Sequence, residues 1–135
     1  HALINLGGNI LIIGDKPDGS QYNIGIQKPF DQTGQPITSV KVSNNSLVTT
    51  GIYERCFEEN NKLYHHILDP ATGYPCSNNL YSVTIVTESS VMADALSTTC
   101  FLLGLDKGMD LINETDGVEA VFITDDYNLH YSDNF

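Results

Sequence analysis

The sequence predicts an α+β fold, a strand-rich antiparallel sheet packed with one main helix and a shorter one. Two observations carry that expectation. Short β-branched or alternating segments, separated by Gly, Pro, Asn and Asp, recur along most of the chain. Helical signals are confined to residues 89–113, where a serine pair and Gly104 bracket an apolar run. With 135 residues, 41% of them hydrophobic, the chain is long enough for one packed unit over residues 1–135. No internal repeat, low-complexity stretch or linker divides it.

Residues 2–6 and 10–14 read as two β segments around Gly7-Gly8-Asn9. The double glycine serves either a tight strand junction or the close approach of a backbone or ligand. Residues 15–20 carry turn chemistry. In residues 22–27, Tyr22, Ile24 and Ile26 alternate with Asn23, Gly25 and Gln27, a half-exposed strand. A loop covers 28–36, and segments 37–42 and 46–50 predict a hairpin around Asn44-Asn45. Residues 51–55 lead to a polar turn at 58–62. Residues 63–68 predict a strand with His65 and His66 on opposite faces, followed by a turn fixed by Pro70 and Gly73. Residues 81–87 are the clearest strand, and Ser89-Ser90 can cap the main helix after it. Val91, Ala95, Leu102 and Leu103 are expected to form the apolar face of that helix. A short helix at 107–113 precedes strands at 118–124 and 128–132, with Asp125-Asp126 in the turn between them.

Composition narrows the function classes. Six basic residues and a net charge of −11 argue against sequence-independent binding of nucleic-acid phosphates. No apolar run approaches the roughly 20 residues of a membrane helix. The three cysteines, Cys56, Cys76 and Cys100, match neither a zinc cluster nor a redox pair, and Cys100 reads as a small core residue. Neither standard glycine-rich nucleotide cradle occurs, nor a Gly-x-Ser-x-Gly elbow.

Two stretches hold the residue types that chemistry needs. In Met92-Ala93-Asp94-Ala95-Leu96-Ser97-Thr98-Thr99-Cys100, Asp94 and Thr98 stand at i and i+4 on one helix face, with Ser97 beside them. A carboxylate and a hydroxyl are hard ligands suited to Mg²⁺ or Ca²⁺. They can equally be a hydrogen-bonded pair at a helix-packing interface, and spacing alone favours that second reading. In Tyr64-His65-His66-Ile67-Leu68-Asp69-Pro70-Ala71-Thr72-Gly73, His66 can act as general acid or base or dock a ring or phosphate. Asp69 can equally be a turn residue that caps backbone amides.

Four stretches, in order, resemble the ApbE family, the FAD:protein FMN transferases formerly called thiamine-biosynthesis lipoproteins. They are Ala2-Leu3-Ile4-Asn5-Leu6-Gly7-Gly8-Asn9, Thr50-Gly51-Ile52-Tyr53-Glu54-Arg55, His66-Ile67-Leu68-Asp69-Pro70-Ala71-Thr72-Gly73 and Ala93-Asp94-Ala95-Leu96-Ser97-Thr98. The resemblance implies a T-fold-related structure of which residues 1–135 are the C-terminal portion. Much of the FAD pocket and a further metal ligand would then lie upstream. It implies Mg²⁺-dependent transfer of FMN from FAD to a Thr or Ser hydroxyl of an acceptor flavoprotein, with release of AMP. Asp94 and Thr98 would ligate Mg²⁺, with Ser97 where some members carry Asp. Leu68 would lie against FAD through its backbone, with Asp69 beside it positioning the loop, and His66 would activate the acceptor. Ile52 departs from the family's common Ser-Gly-Asp-Tyr and removes a carboxylate there.

The family also implies an extracytoplasmic location, periplasmic or through a lipid anchor on a preceding N-terminal segment. Two alternatives stand beside the transferase. One is an Mg²⁺-dependent FAD pyrophosphatase giving FMN and AMP. The other is a non-enzymatic flavin-binding or structural domain.

Overall fold

The computed structural model describes all 135 residues. Ten strands and two helices follow in the order β1 (Ala2–Asn5), β2 (Asn9–Ile13), β3 (Tyr22–Gln27), β4 (Pro36–Val42), β5 (Ser46–Gly51), β6 (Cys56–Glu59), β7 (Lys62–His65), β8 (Leu80–Thr87), α1 (Ser90–Leu103), α2 (Leu105–Asn113), β9 (Val118–Thr124) and β10 (Leu129–Tyr131). Six strands build one sheet in the order β1-β2-β5-β8-β9-β10, every pair antiparallel. Two separate hairpins, β3-β4 and β6-β7, complete the strand set. The expected architecture forms: a strand-rich antiparallel sheet, a longer helix and a shorter one.

The sheet is buried on both faces because alternate residues of its central strands serve two cores. Val83 and Ile85 of β8, with Ala120 and Phe122 of β9, pack against Ala93, Cys100 and Phe101 of α1 and Ile112 of α2. The intervening Val86, with Val121 and Ile123, packs against Ile26, Val40 and Val42 of the β3-β4 hairpin. Helices, sheet and hairpin therefore make three layers. Each large apolar side chain so enclosed contributes about 1.5–3 kcal/mol relative to exposure, and this fixes β5 and β8 in the middle.

That burial overturns one expected pairing. Segments 37–42 and 46–50 do not form a hairpin with each other: β4 pairs with β3, while β5 pairs with β2 and β8. β5 is covered on both faces, a condition that an edge hairpin cannot meet. The chain crosses between layers at Asn44, whose φ is 54°. The side chain of Asn44 accepts from the Gly14 N–H at 2.7 Å, and the Asn45 carbonyl accepts from the Ile12 N–H at 2.9 Å.

A second difference is β6, which the sequence leaves as irregular chain. All four of its residues are exposed, so it lacks the alternation that marks a half-buried strand. It pairs with β7 across Asn60 and Asn61, whose φ values of 51° and 59° suit a tight hairpin turn. His66 consequently lies just beyond β7.

The main helix follows its caps. The Ser89 side chain accepts from the Met92 N–H, and Gly104 ends the helix with φ 82°. Its buried face is Ala93, Ser97, Cys100 and Phe101, not the expected set. Val91 is 81% exposed and Leu103 43%, with Ala95 also exposed. Small side chains at 93, 97 and 100 let the helix lie close on β5 and β8; Phe101 fills the core beside them, and of the expected face only Leu102 packs against it. The Asp125-Asp126 segment is the expected turn, with the Asp126 carboxylate accepting from Asn128 and Thr124. Neither helix is long and apolar enough to cross a membrane.

Candidate functional site

Asp94 and Thr98 are both exposed on α1. They are not a pair buried at a packing interface. The enclosed hydroxyl on this helix is Ser97, fully buried. Thr50 of β5 meets both hydroxyls: its Oγ1 lies 2.8 Å from Ser97 Oγ and 3.1 Å from Thr98 Oγ1. The Ser97 hydroxyl also donates to the Asp94 carbonyl at 3.0 Å. Ser97 is thus built into the helix–sheet contact, while Asp94 and Thr98 present oxygens to solvent one turn apart.

This donor set fits a hard divalent cation that keeps waters or takes ligand phosphate oxygens. No three His, Cys, Asp or Glu side chains converge anywhere in the chain. A single carboxylate with a neutral hydroxyl is too sparse for a dedicated protein cage or for a softer metal.

The histidine pair divides as its strand position requires. His65 is buried, its Nε2 donating to the Cys76 carbonyl at 3.1 Å and its ring edge-on to Phe101 at 6.2 Å. Its Nδ1 is enclosed without a partner. Burial pushes its pKa below the ordinary value; the Cys76 bond opposes this and neighbouring His66 adds to it. His65 is a structural residue. His66 is exposed, and its Nδ1 lies 3.3 Å from the Arg55 carbonyl. A carbonyl only accepts, so the neutral ring carries its proton on Nδ1 and leaves the Nε2 lone pair free.

The turn after His66 is organised by Asp69. Its carboxylate accepts from the Ala71 N–H at 2.9 Å and the Thr72 hydroxyl at 3.1 Å. Its backbone N–H donates to Tyr74 and its carbonyl accepts from Gly73. Both carboxylate oxygens therefore hold the loop, as turn chemistry anticipates. Leu68 bridges to Pro75 across the base of this turn and is half exposed. A concavity of about 550 Å³ lies beside it, lined by Asp69, Thr72, Cys76, Leu102 and Leu103 among others.

In the sequence, residues 50–55 stand out only through the family resemblance and the carboxylate lost at Ile52, with no role for Thr50 or Arg55, yet this segment joins the two stretches. Thr50 holds the helix hydroxyls, and five residues later the Arg55 carbonyl holds His66. Between them the Tyr53 ring lies directly on Gly51, where a Cβ would meet Tyr53 Cε1 at 2.6 Å. The usable signal was the strand period: Thr50 and Val48 share the face of β5 that meets the helix. Tyr53 and Glu54 also line a cavity of about 370 Å³ with Asn5, Gly7, Gly8 and Gln27. The double glycine makes the anticipated tight strand junction, and no other backbone approaches it. Its turn is closed by Leu6 N–H to Asn9 O, and Gly7 and Gly8, with φ of 67° and 98°, border open space.

Several known proteins similar to this chain agree with one another. An FAD:protein FMN transferase from Klebsiella pneumoniae (strain 342) is 42% identical over 91% of this chain and 37% of its own length. One from Treponema pallidum (strain Nichols) is 41% identical over 97% of this chain and 38% of its own length. The crystal structure of the ApbE protein of Thermotoga maritima superposes with a TM-score of 0.87 at 34% identity, covering 99% of this chain and 43% of that one. The apo form of the Pseudomonas stutzeri flavinyl transferase ApbE gives 0.77 at 30% identity, over 97% and 41%. The chain thus spans about two-fifths of the length of these relatives. The ApbE family itself matches residues 1–122, and the chain belongs to that family.

Proposed function

We propose that this chain is the C-terminal portion of a transferase that moves FMN from FAD to a Thr or Ser hydroxyl of an acceptor flavoprotein. The observation that carries the reading is the tether through residues 50–55. It couples a hard-ligand helix face at Asp94 and Thr98 to a histidine with a free Nε2. Phosphoryl transfer needs those two things: charge neutralisation at phosphate oxygens, and a base beside the attacking hydroxyl.

In this reading Asp94 and Thr98 hold Mg²⁺, which when bound neutralises the FAD pyrophosphate in a chain with only six basic residues. His66 Nε2 takes the proton of the acceptor hydroxyl. The hydroxyl oxygen forms a bond to the FMN phosphorus, the pyrophosphate P–O bond breaks, and AMP leaves with the bridging oxygen. Leu68 offers backbone to the flavin nucleotide from the mouth of the Asp69 turn, and Asp69 keeps that turn closed. By the family resemblance, the remainder of the FAD pocket would lie on residues outside this chain. An extracytoplasmic location, through a lipid anchor on an upstream segment or in the periplasm, belongs to the same proposal and rests on the family resemblance.

The test is incubation of the full-length protein with FAD, Mg²⁺ and an acceptor flavoprotein. Flavin fluorescence that stays on the acceptor in a denaturing gel is the expected result. AMP and free FMN without a labelled acceptor would instead identify a pyrophosphatase. FAD binding with neither product would identify a flavin-binding domain.

A further inference from the structure

We infer that Thr50 is a positioning residue that orients the Thr98 hydroxyl for a divalent cation, an inference that rests on the metal reading of Asp94 and Thr98. The direction of each bond follows from which group can only accept. The Asp94 carbonyl has no hydrogen to give, so Ser97 donates to it at 3.0 Å. Ser97 Oγ then has only lone pairs for Thr50, and Thr50 donates to it at 2.8 Å. The single Thr50 hydrogen is thereby committed, so at 3.1 Å the Thr98 hydroxyl must donate to Thr50 Oγ1. The relay runs from Thr98 through Thr50 and Ser97 to the Asp94 carbonyl.

The consequence lies at its exposed end. A hydroxyl binds a cation through its lone pairs, with its hydrogen turned away. Donation to Thr50 turns the Thr98 hydrogen toward the sheet and leaves both lone pairs facing outward beside Asp94. Hydrogen bonds in series also polarise one another, which makes the terminal oxygen a better hard ligand. The neighbouring threonine shows the alternative: Thr99 donates to the Ala95 carbonyl one turn back, the ordinary habit of helical threonines. Thr98 makes a cross-element bond because β5 supplies an acceptor at the right height. The relay also ends on the main chain of the other ligand, so one arrangement fixes the Thr98 oxygen relative to Asp94.

Calorimetric titration of the full-length protein with Mg²⁺ alone tests this. Thr50→Val keeps a β-branched side chain in β5 and removes the hydroxyl. Mg²⁺ binding is expected to weaken about 10- to 100-fold, the usual effect of losing a group that orients a metal ligand. Thr50→Ser, which keeps the hydroxyl, should recover most of the affinity, whereas a packing defect would not be repaired by the smaller residue. Thr50→Ala should reproduce the loss if valine disturbs the helix contact. Asp94→Ala separates the relay from the metal site. If Asp94→Ala abolishes Mg²⁺ binding while Thr50→Val binds as wild type does, the relay is overturned and the metal site stands. If Asp94→Ala binds Mg²⁺ unchanged, the metal reading falls and takes the relay with it.

Discussion

The Arg55 carbonyl holds His66 twice, accepting from its backbone N–H and from its ring Nδ1, each at 3.3 Å. One main-chain oxygen therefore fixes both the position and the tautomer of the exposed histidine. Asparagine at this position can imitate the Nδ1–H donor but has no counterpart to Nε2. His66→Asn in the full-length protein is expected to bind FAD normally and to lose acceptor labelling by about 10²–10⁴-fold, the range of a general base. FAD titration and in-gel flavin fluorescence read the two effects separately. Retention of full labelling would remove His66 from the chemistry.

Asp94 supports a complementary prediction because it is exposed. Exposed substitutions usually change stability by no more than about 0.5 kcal/mol. Asp94→Asn should therefore unfold in urea at nearly the wild-type midpoint while its Mg²⁺ titration goes flat. A large loss of stability would instead give the carboxylate a structural role.

The contact between Gly51 and Tyr53 makes the connecting segment testable by itself. A methyl group at 51 meets Tyr53 Cε1 at 2.6 Å and Cζ at 2.9 Å, inside van der Waals contact. Gly51→Ala must displace the ring, which also meets Phe30 edge-on at 6.0 Å. The expected loss is about 1–3 kcal/mol, typical of overpacking. In a Tyr53→Ala background the same substitution should cost little, so a double-mutant cycle assigns the effect to this contact.

These contacts explain how far the sequence could be read. The strand period and the caps at Ser89 and Gly104 are local, so most strands and the main helix were legible. The separation of β4 from β5 was not, because it depends on β5 being covered on both faces by elements distant in sequence. β6 was missed for the opposite reason: exposed on every residue, it has no apolar pattern. At the candidate site, helical spacing put Asp94 and Thr98 on one face but favoured a packing pair, and the roles proposed for them and for His66 came from the family resemblance. Thr50 carried only the strand period that it shares with Val48. A threonine in a strand is ordinary, and its role exists only because α1 lies across β5.

His65 gives the fold a pH dependence of predictable sign. Its folded pKa is lowered from 6.5, chiefly by burial. As pH falls below that value, the unfolded chain takes up a proton that folded His65 refuses. The unfolded state then binds more protons, and stability falls with decreasing pH. This contribution is complete above the unfolded pKa and is lost as pH drops through the folded one. Urea unfolding from pH 7.5 downward should show the decline. His65→Phe, which keeps an aromatic ring beside Phe101, should remove that component of the slope even though losing the Cys76 bond lowers stability overall.

Gly108 tests the seam between the helices. It is buried in α2, where alanine would ordinarily be favoured over glycine by about 1 kcal/mol. A Cβ there, however, meets the Cys100 carbonyl at 2.9 Å and Phe122 Cε1 at 2.9 Å. Neither neighbour can yield readily. The Cys100 carbonyl is held by the Gly104 N–H at 3.1 Å at the end of α1, and Phe122 is fully enclosed in the helix-side core. The overpacking cost of about 1–3 kcal/mol should exceed the helix gain, so Gly108→Ala is expected to destabilise the chain. Asp110→Ala, exposed on the same helix, should show only the small propensity benefit. Equal urea midpoints for the two variants would mean that the helices can separate at this seam without cost. The close approach of α1 and α2 would then not be what holds α1 at its height on β5, where Thr50 meets Ser97 and Thr98.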